Sequence, residues 1–227
     1  MIKLIRGIVD FRKNKRPLYK EIFAKLALGQ SPDALLIACS DSRVVPNLFA
    51  SSDPGDLFVV RNVGNLIPPY QLPEHTSPCL HPSSEAAAIE FALTALPIKD
   101  IIVCGHSECG AMIALEKNNL PSQVALLKQW LSYGENILTS QNKCLSFIDT
   151  PYLKQHNQLS QLNVLQQIEH LKTYPMVAQK LSEKKLHLHG WWFDIKEADI
   201  YEYEQGKKKF CLIDEEYAQT LINRALT

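Results

Sequence analysis

The chain predicts a single α/β domain built on a mainly parallel β-sheet. Three observations carry this. Short apolar runs of strand length, ALLIAC (34–39), LFVVRNVG (57–64) and DIIVCG (100–105), read as strands buried on both faces. Stretches with helical periodicity separate them, which is the pattern of parallel strands joined by helical crossovers. Finally, 227 residues without an internal repeat or a convincing linker suit one sizeable core, so residues 1–227 are taken as one domain.

In chain order, Ile2, Ile5, Ile8, Val9 and Phe11 share one face of a first helix. A second helix runs from Leu18 to Leu28, after Pro17, with Gly29 as its stop. The first strand (34–39) follows. The second comes after the turn signal Asp53-Pro54-Gly55. Residues 65–82 hold five prolines, His75, Cys79 and His81, and read as a loop. Ser83 and Ser84 then open the helix SSEAAAIEFALTAL with capping chemistry at its start. The third strand (100–105) leads into a helix beginning after His106. Residues 121–182 are mostly helical, with a polar stretch around 154–163. LHLHGWWFDI (186–195) and DIYEYE (199–204) form strands of a hairpin that turns at Lys196-Glu197.

Composition narrows the functional classes. Apolar residues make up 46% and charged residues 21%, as in ordinary globular proteins. Lys plus Arg equals Asp plus Glu at 24 each, so no overall field favours nucleic acid or an anionic membrane. The local basic clusters Arg12-Lys13-Lys15-Arg16 and Lys207-Lys208-Lys209 read as solvated faces. No apolar run approaches the ~18 residues of a membrane span. The N-terminus alternates apolar and basic residues without a continuous apolar stretch, which favours a cytoplasmic protein. Six dispersed cysteines with no C-x-x-C argue against a disulfide framework and a dithiol redox site.

Two motifs carry chemistry. Cys39, Asp41 and Arg43 stand in ACSDSRV, and His106 and Cys109 stand in CGHSECG. Two thiolates and an imidazole are the three protein ligands a catalytic zinc usually takes, with a fourth position left open. Cys39 ends one predicted strand and His106 follows another, so both reach the carboxyl edge of the sheet, where open α/β sheets bind ligands. Cys109 falls near a helix N-terminus, whose macrodipole favours thiolate. Cys79, Cys104, Cys144 and Cys211 read as small buried hydrophobes. His75, His81, His156, His170, His187 and His189 read as surface or internally satisfied residues, although His187 and His189 share a strand face and a second metal site there is conceivable.

Taken with their spacing, ACSDSRV, PGDLFVVRN and IIVCGHSECGAM resemble the β-class carbonic anhydrases, from LIRGIVDFR at the start to LHLHGWWFD near the end. The resemblance implies an antiparallel edge on the parallel sheet, and helical arms (residues 1–30) that pack on a partner subunit in homodimers or homotetramers. It implies one Zn²⁺ per subunit on Cys39, His106 and Cys109, with Asp41 and Arg43 as the catalytic dyad. Zinc-bound hydroxide would attack CO₂ to give bicarbonate, and Asp41 would take the fourth zinc position in a closed state. Gln30, Phe58, Val63 and Gly110 carry over as substrate-pocket positions, some of them reaching the site of the partner subunit. Because two thiolates cancel the metal's charge, the bound water is less acidic than in a three-histidine site, and activity is expected to rise towards alkaline pH.

The chain departs from the family at Phe91, where tyrosine is common, and at Ser84 and Ala86, where a glycine-rich step is usual. A proline-rich loop (71–82) precedes them. Leu36 and Phe193 replace the tryptophan and tyrosine of a non-catalytic bicarbonate site, of which Arg61 alone remains, so no such site is expected. Two other functions compete: hydrolysis of carbonyl sulfide or carbon disulfide on the same site, and a zinc- or bicarbonate-binding protein weakened in catalysis.

Overall fold

A computed structural model describes residues 1–70, 83–121, 123–135, 137 and 153–225. The proline-rich loop 71–82, with His75, Cys79 and His81, and Cys144 lie outside the described residues.

The chain opens with a long helical run: α1 (Ile2–Asp10), a wider π turn (Phe11–Lys15) and α2 (Arg16–Leu26). Pro17 sits in the first turn of α2, where its missing N–H costs nothing. The two expected helices are therefore one interrupted rod, and the second ends at Leu26, before Gly29. No residue of α1 or α2 is buried, and Ile2, Ile5, Ile8 and Phe11 all stand exposed.

Strand β1 (Ala34–Cys39) is buried along its whole length, as its continuous apolar run requires. The short helix α3 (Pro46–Phe49) leads to β2 (Leu57–Asn62), and a 3₁₀ turn (Val63–Asn65) follows. Helix α4 (Ser84–Ala95) is capped by Ser83, whose side chain accepts the Ala86 N–H at 3.1 Å. Strand β3 (Asp100–His106) is followed by α5 (Gly110–Lys117), α6 (Ala125–Leu131), α7 (Gln155–Lys172) and α8 (Pro175–Ser182). The hairpin β4 (His187–Asp194) and β5 (Asp199–Glu204), strand β6 (Lys209–Leu212) and helix α9 (Glu215–Ala225) complete the chain.

The six strands lie in the order β2-β1-β3-β4-β5-β6. Pairs β1/β2, β1/β3 and β3/β4 are parallel, and β4/β5 and β5/β6 antiparallel, so the sheet is mainly parallel with an antiparallel edge. One expectation is overturned: β2 is not buried on both faces. It is the free edge of the sheet and its residues are half-buried or exposed. Its apolar run describes a strand whose second face the described residues leave partly open.

Alternate residues of β1 and β3 feed opposite cores. Leu35, Ile37, Ile101 and Val103 pack with Val164, Leu171 and Trp192, while Leu36, Ala38, Ile102 and Cys104 pack with Val44 and Phe193. Helix α7 rides closely on β3. A Cβ placed at Gly105 would lie 2.7 Å from Val164 and 3.1 Å from the Ser160 carbonyl, so that contact requires glycine. From β1 the chain passes to β2 on one side, then crosses to β3 on the other. β1 is thus the topological switch point, and its carboxyl end opens the crevice where such sheets bind ligands.

His187 and His189 project beside Asp100 at the opposite end of the sheet. His189 Nε2 lies 2.9 Å from Asp100 and Nδ1 3.0 Å from Glu202, so both ring nitrogens have a carboxylate partner, and these side chains do not belong to the donor cluster found among the described residues. Burial opposes its charge, but the two carboxylates outweigh burial and raise its pKa to about 9. A folded value above the unfolded ~6.5 means stability present below pH ~6.5 and lost as pH rises through about 9. His189→Leu should remove this loss. Solvent screens the one-third-exposed ring, so the effect is about 1 kcal/mol. Thermal melts at pH 6 and pH 9.5 check it: the drop in Tm between them should be smaller in the variant, and an equal drop contradicts the assignment.

Candidate metal centre

Cys39 is the last residue of β1 and His106 the last of β3, adjacent parallel strands that end at the same edge. Cys109 is the N-cap of α5. Their donor atoms lie within 4.8 Å of one another, and all three residues are buried. Among the described residues no other three such side chains gather this closely.

The sequence around each donor explains its position. The chain leaves β2 into the turn at Gly64, whose N–H lies 3.4 Å from the Cys39 sulfur. Gly64 has φ +82°, and a Cβ there would lie 2.9 Å from the Ala111 methyl, so only glycine brings this amide to the sulfur. Asn163 of α7 donates to the Gly64 carbonyl at 2.8 Å. Ser160, also on α7, donates to the His106 carbonyl at 2.7 Å and accepts the His106 N–H and the Trp192 indole N–H, each at 3.2 Å. His106 Nδ1 lies 2.8 Å from the Ser107 carbonyl, which can only accept, so the proton sits on Nδ1. Nε2 is left with its lone pair, buried and without a partner. An unsatisfied buried acceptor costs about 1–3 kcal/mol unless something binds it.

The thiols divide unevenly. Cys39 is held far below the ordinary value, chiefly because the Cys109 S–H donates to its thiolate; burial opposes this, and the amides of Asp41 and Gly64 assist. Cys109 is pushed up by the same bond and by burial. One negative charge is thus stable between the sulfurs, and a second needs a cation. By contrast, burial pushes the Cys104 thiol up to about 12, so it behaves as the small hydrophobe the sequence suggested. Two soft sulfurs, one free imidazole nitrogen and a demand for positive charge fit a zinc ion.

Asp41 stands outside the three-donor cluster. Its Oδ1 accepts from Arg43 Nε at 2.9 Å and its Oδ2 from Nη2 at 2.8 Å, a bidentate pair, and the Arg43 N–H adds a third bond at 3.0 Å. These bonds hold the Asp41 carboxyl well below the usual carboxylate range, so it is ionised throughout neutral pH. Arg43 Nη2 also donates to the Glu108 carbonyl at 3.1 Å. Arg61 reaches from β2 to donate to the carbonyls of Cys39 (3.0 Å) and Asp41 (2.7 Å), and so fixes the loop between them.

The expected pocket residues separate. Val63 is exposed and lines a recess of about 390 Å³ with Ser40, Asn62, Glu85, Leu127 and Trp130, immediately beside Cys39. Gly110 is the first residue of α5, open to solvent on its Cα side. Phe58 pairs with Leu35, four residues before Cys39, which is roughly 13 Å along the strand. It meets Phe91 instead, with ring centroids 5.8 Å apart. Gln30 is exposed in the segment before β1. A larger groove of about 710 Å³ lies between α7 and β4, lined by Leu165 and Leu188, and has no member of the cluster in its walls.

Sequence reasoning missed Ser160, Asn163 and the bridging role of Arg61. The polar stretch 154–163 was the available signal: polar residues in a helix that the fold must bury need partners, and here the partners are the backbone around the cluster.

The family model for carbonic anhydrases matches residues 34–200. The chain is 39% identical over 216 residues to a carbonic anhydrase of Synechococcus elongatus, covering 95% of this chain and 76% of the relative. It is 36% identical over 215 residues to a carbonic anhydrase of Pseudomonas aeruginosa, covering 95% and 93%. Among solved structures, the β-carbonic anhydrase CcaA superposes with a TM-score of 0.83 at 38% identity, covering 95% of this chain and 92% of that one. The tetrameric β-carbonic anhydrases of Sordaria macrospora give a TM-score of 0.73 at 29% identity, covering 88% and 94%.

Proposed function

The chain belongs to the β-carbonic anhydrase family, and from that premise we propose that it catalyses CO₂ + H₂O ⇌ HCO₃⁻ + H⁺ at a zinc ion held by Cys39, His106 and Cys109. The observation that carries this reading is the unpartnered, buried Nε2 of His106 beside two buried cysteine sulfurs, the three donor atoms lying within 4.8 Å of one another. Zinc on these donors supplies the Lewis acidity that turns water into a nucleophile near neutral pH.

The chain's own residues do the rest. An ionised Asp41, which can only accept, takes the hydrogen bond of the attacking oxygen and turns its lone pair towards the CO₂ carbon. Arg43 keeps that carboxylate charged and oriented. While Arg43 occupies both oxygens, Asp41 is withheld from the metal; releasing them frees it to serve as a fourth ligand. The dyad therefore gates the site. CO₂ is small and apolar and needs little apparatus: the recess beside Cys39, walled by Val63, Leu127 and Trp130, admits it. Gly110, at the N-terminus of α5, offers a backbone N–H to bicarbonate.

Phe58, on β2 well back from the strand ends that carry the cluster, and Gln30, in the segment before β1, are assigned to the site of a partner subunit. The exposed apolar face of α1 and α2 and the half-open edge strand β2 supply the surface for a homodimer or homotetramer. No described helix is long and apolar enough to cross a membrane, and the proposed setting is the cytoplasm. Carbonyl sulfide and carbon disulfide share the linear shape of CO₂. Side-by-side assays on one preparation should show CO₂ turnover exceeding theirs by at least about a hundredfold in kcat/KM. Parity would reassign the enzyme to those substrates, and absence of all three activities would mark a binding protein.

A further inference from the structure

Glu108 lies between His106 and Cys109 with φ +55°, a left-handed conformation that a non-glycine residue adopts only when its surroundings enforce it. The enforcement comes from the start of α7. Asn157, itself buried, accepts the Glu108 N–H on Oδ1 at 2.7 Å and donates from Nδ2 to the Glu108 carboxylate at 3.3 Å. Lys154 Nζ meets the same carboxylate oxygen at 2.8 Å, and His156 Nε2 meets the other at 3.2 Å. The carbonyl of this constrained residue is the one that receives Arg43 Nη2.

We propose that Asn157 is a positioning residue of the enzyme: by clamping Glu108 in its left-handed turn it presents the carbonyl that anchors Arg43, and so biases the dyad towards the state in which Asp41 is held off the metal. Among its hydrogen bonds Asn157 reaches neither metal donors nor dyad; it acts through the backbone of one residue, Glu108. Arg43 Nη2 then has two fixed acceptors, Asp41 Oδ2 and the Glu108 carbonyl, and its direction is set from both sides. Without the clamp, Glu108 relaxes to negative φ, the carbonyl turns away, and Arg43 follows solvent, since its side chain is already 47% exposed.

This inference rests on the proposed gating by Asp41 and Arg43, and its test separates the two. Asn157→Ala and the double variants Asn157→Ala/Glu108→Gly and Asn157→Asp/Glu108→Gln are compared with the native chain for kcat/KM of CO₂ hydration at matched zinc content, and for the rate of zinc release to a chelator. Asn157→Ala should lose about tenfold in kcat/KM, the size expected for one hydrogen bond to a charged group, and yet release zinc more slowly, because Asp41 now caps the metal. Glycine adopts positive φ without help, so Asn157→Ala/Glu108→Gly should recover to within about threefold on both readouts. Asn157→Asp/Glu108→Gln keeps the acceptor for the residue-108 N–H and turns the side-chain bond round, so that the glutamine amide donates to the aspartate; it should stay within about threefold of native, and if the alanine variant does not fold, this variant and Asn157→Ala/Glu108→Gly carry the test. Faster zinc release in Asn157→Ala shows general loosening and overturns the proposal. So does unchanged activity, failure of Glu108→Gly to restore it, or a tenfold loss in Asn157→Asp/Glu108→Gln. A native chain that binds zinc without hydrating CO₂ would instead overturn the proposed function, while the zinc-release comparison still reports on the clamp.

Discussion

Asp41→Asn should retain a full complement of zinc and lose about a hundredfold or more in kcat/KM for CO₂. The substitution leaves the three donors untouched, since Asp41 lies outside their cluster. It replaces an oxygen that accepts with an amide that can present a donor, so the attacking oxygen loses the acceptor that orients it. Removing one preorganised polar group that contacts the reacting atoms costs on the order of 3 kcal/mol in other enzymes. The bidentate contact with Arg43 also goes, because the guanidinium can only donate. Stability should barely change, by less than about 1 kcal/mol, because Arg43 is half exposed and exposed ion pairs contribute little. Stopped-flow hydration together with metal analysis checks the prediction; activity within threefold of native would remove Asp41 from the mechanism.

Cys39→Ala should lose the zinc itself, and activity with it. With Cys39 gone, the remaining donors are an imidazole and a thiol that burial holds protonated. Two ligands fall short of the three or four that zinc sites use. The substitution is small, and Cys104→Ala makes the control: Cys104 is equally buried, sits two residues from His106 on β3, and carries a thiol raised to about 12. That variant should keep its zinc. Elemental analysis showing one zinc per chain in Cys39→Ala would refute its role as a ligand.

Much of the fold and of the site could be read in the sequence because apolar runs and donor spacing are local signals. The run ALLIAC is β1 residue for residue, and Ser83 caps α4 as its neighbours Ser84 and Glu85 suggested. Cys39 and His106 converge because they end parallel neighbours, which follows from alternating strands and helices once β1 is the switch point. Position in the sheet is not local. The four apolar residues LFVV of β2 look like the run of β1, yet β2 lies at an edge, and nothing in those four residues distinguishes a second core from a surface awaiting another chain. Strand β6 and helix α9 escaped notice for another reason. Lys209–Leu212 is too short and too close to a lysine run to show a period, and Asp214, whose carboxylate accepts the Tyr217 N–H at 2.8 Å, was a capping signal left unread. The supports of the centre, Ser160, Asn163, Asn157 and Arg61, act on backbone far away in sequence, with separations of 20 to 99 residues. No spacing rule reveals such contacts. Only the fold brings a polar helix face against the loops that hold the donors.

The central claim is that one zinc on Cys39, His106 and Cys109 carries CO₂ hydration. Stopped-flow hydration by the native chain as purified, after chelation, and after return of one equivalent of zinc tests it most directly. The structure predicts activity in the first state, loss in the second and recovery in the third, with zinc rising to one per chain. A chain that regains its zinc without regaining hydration, or that hydrates CO₂ at full rate once stripped, would contradict it.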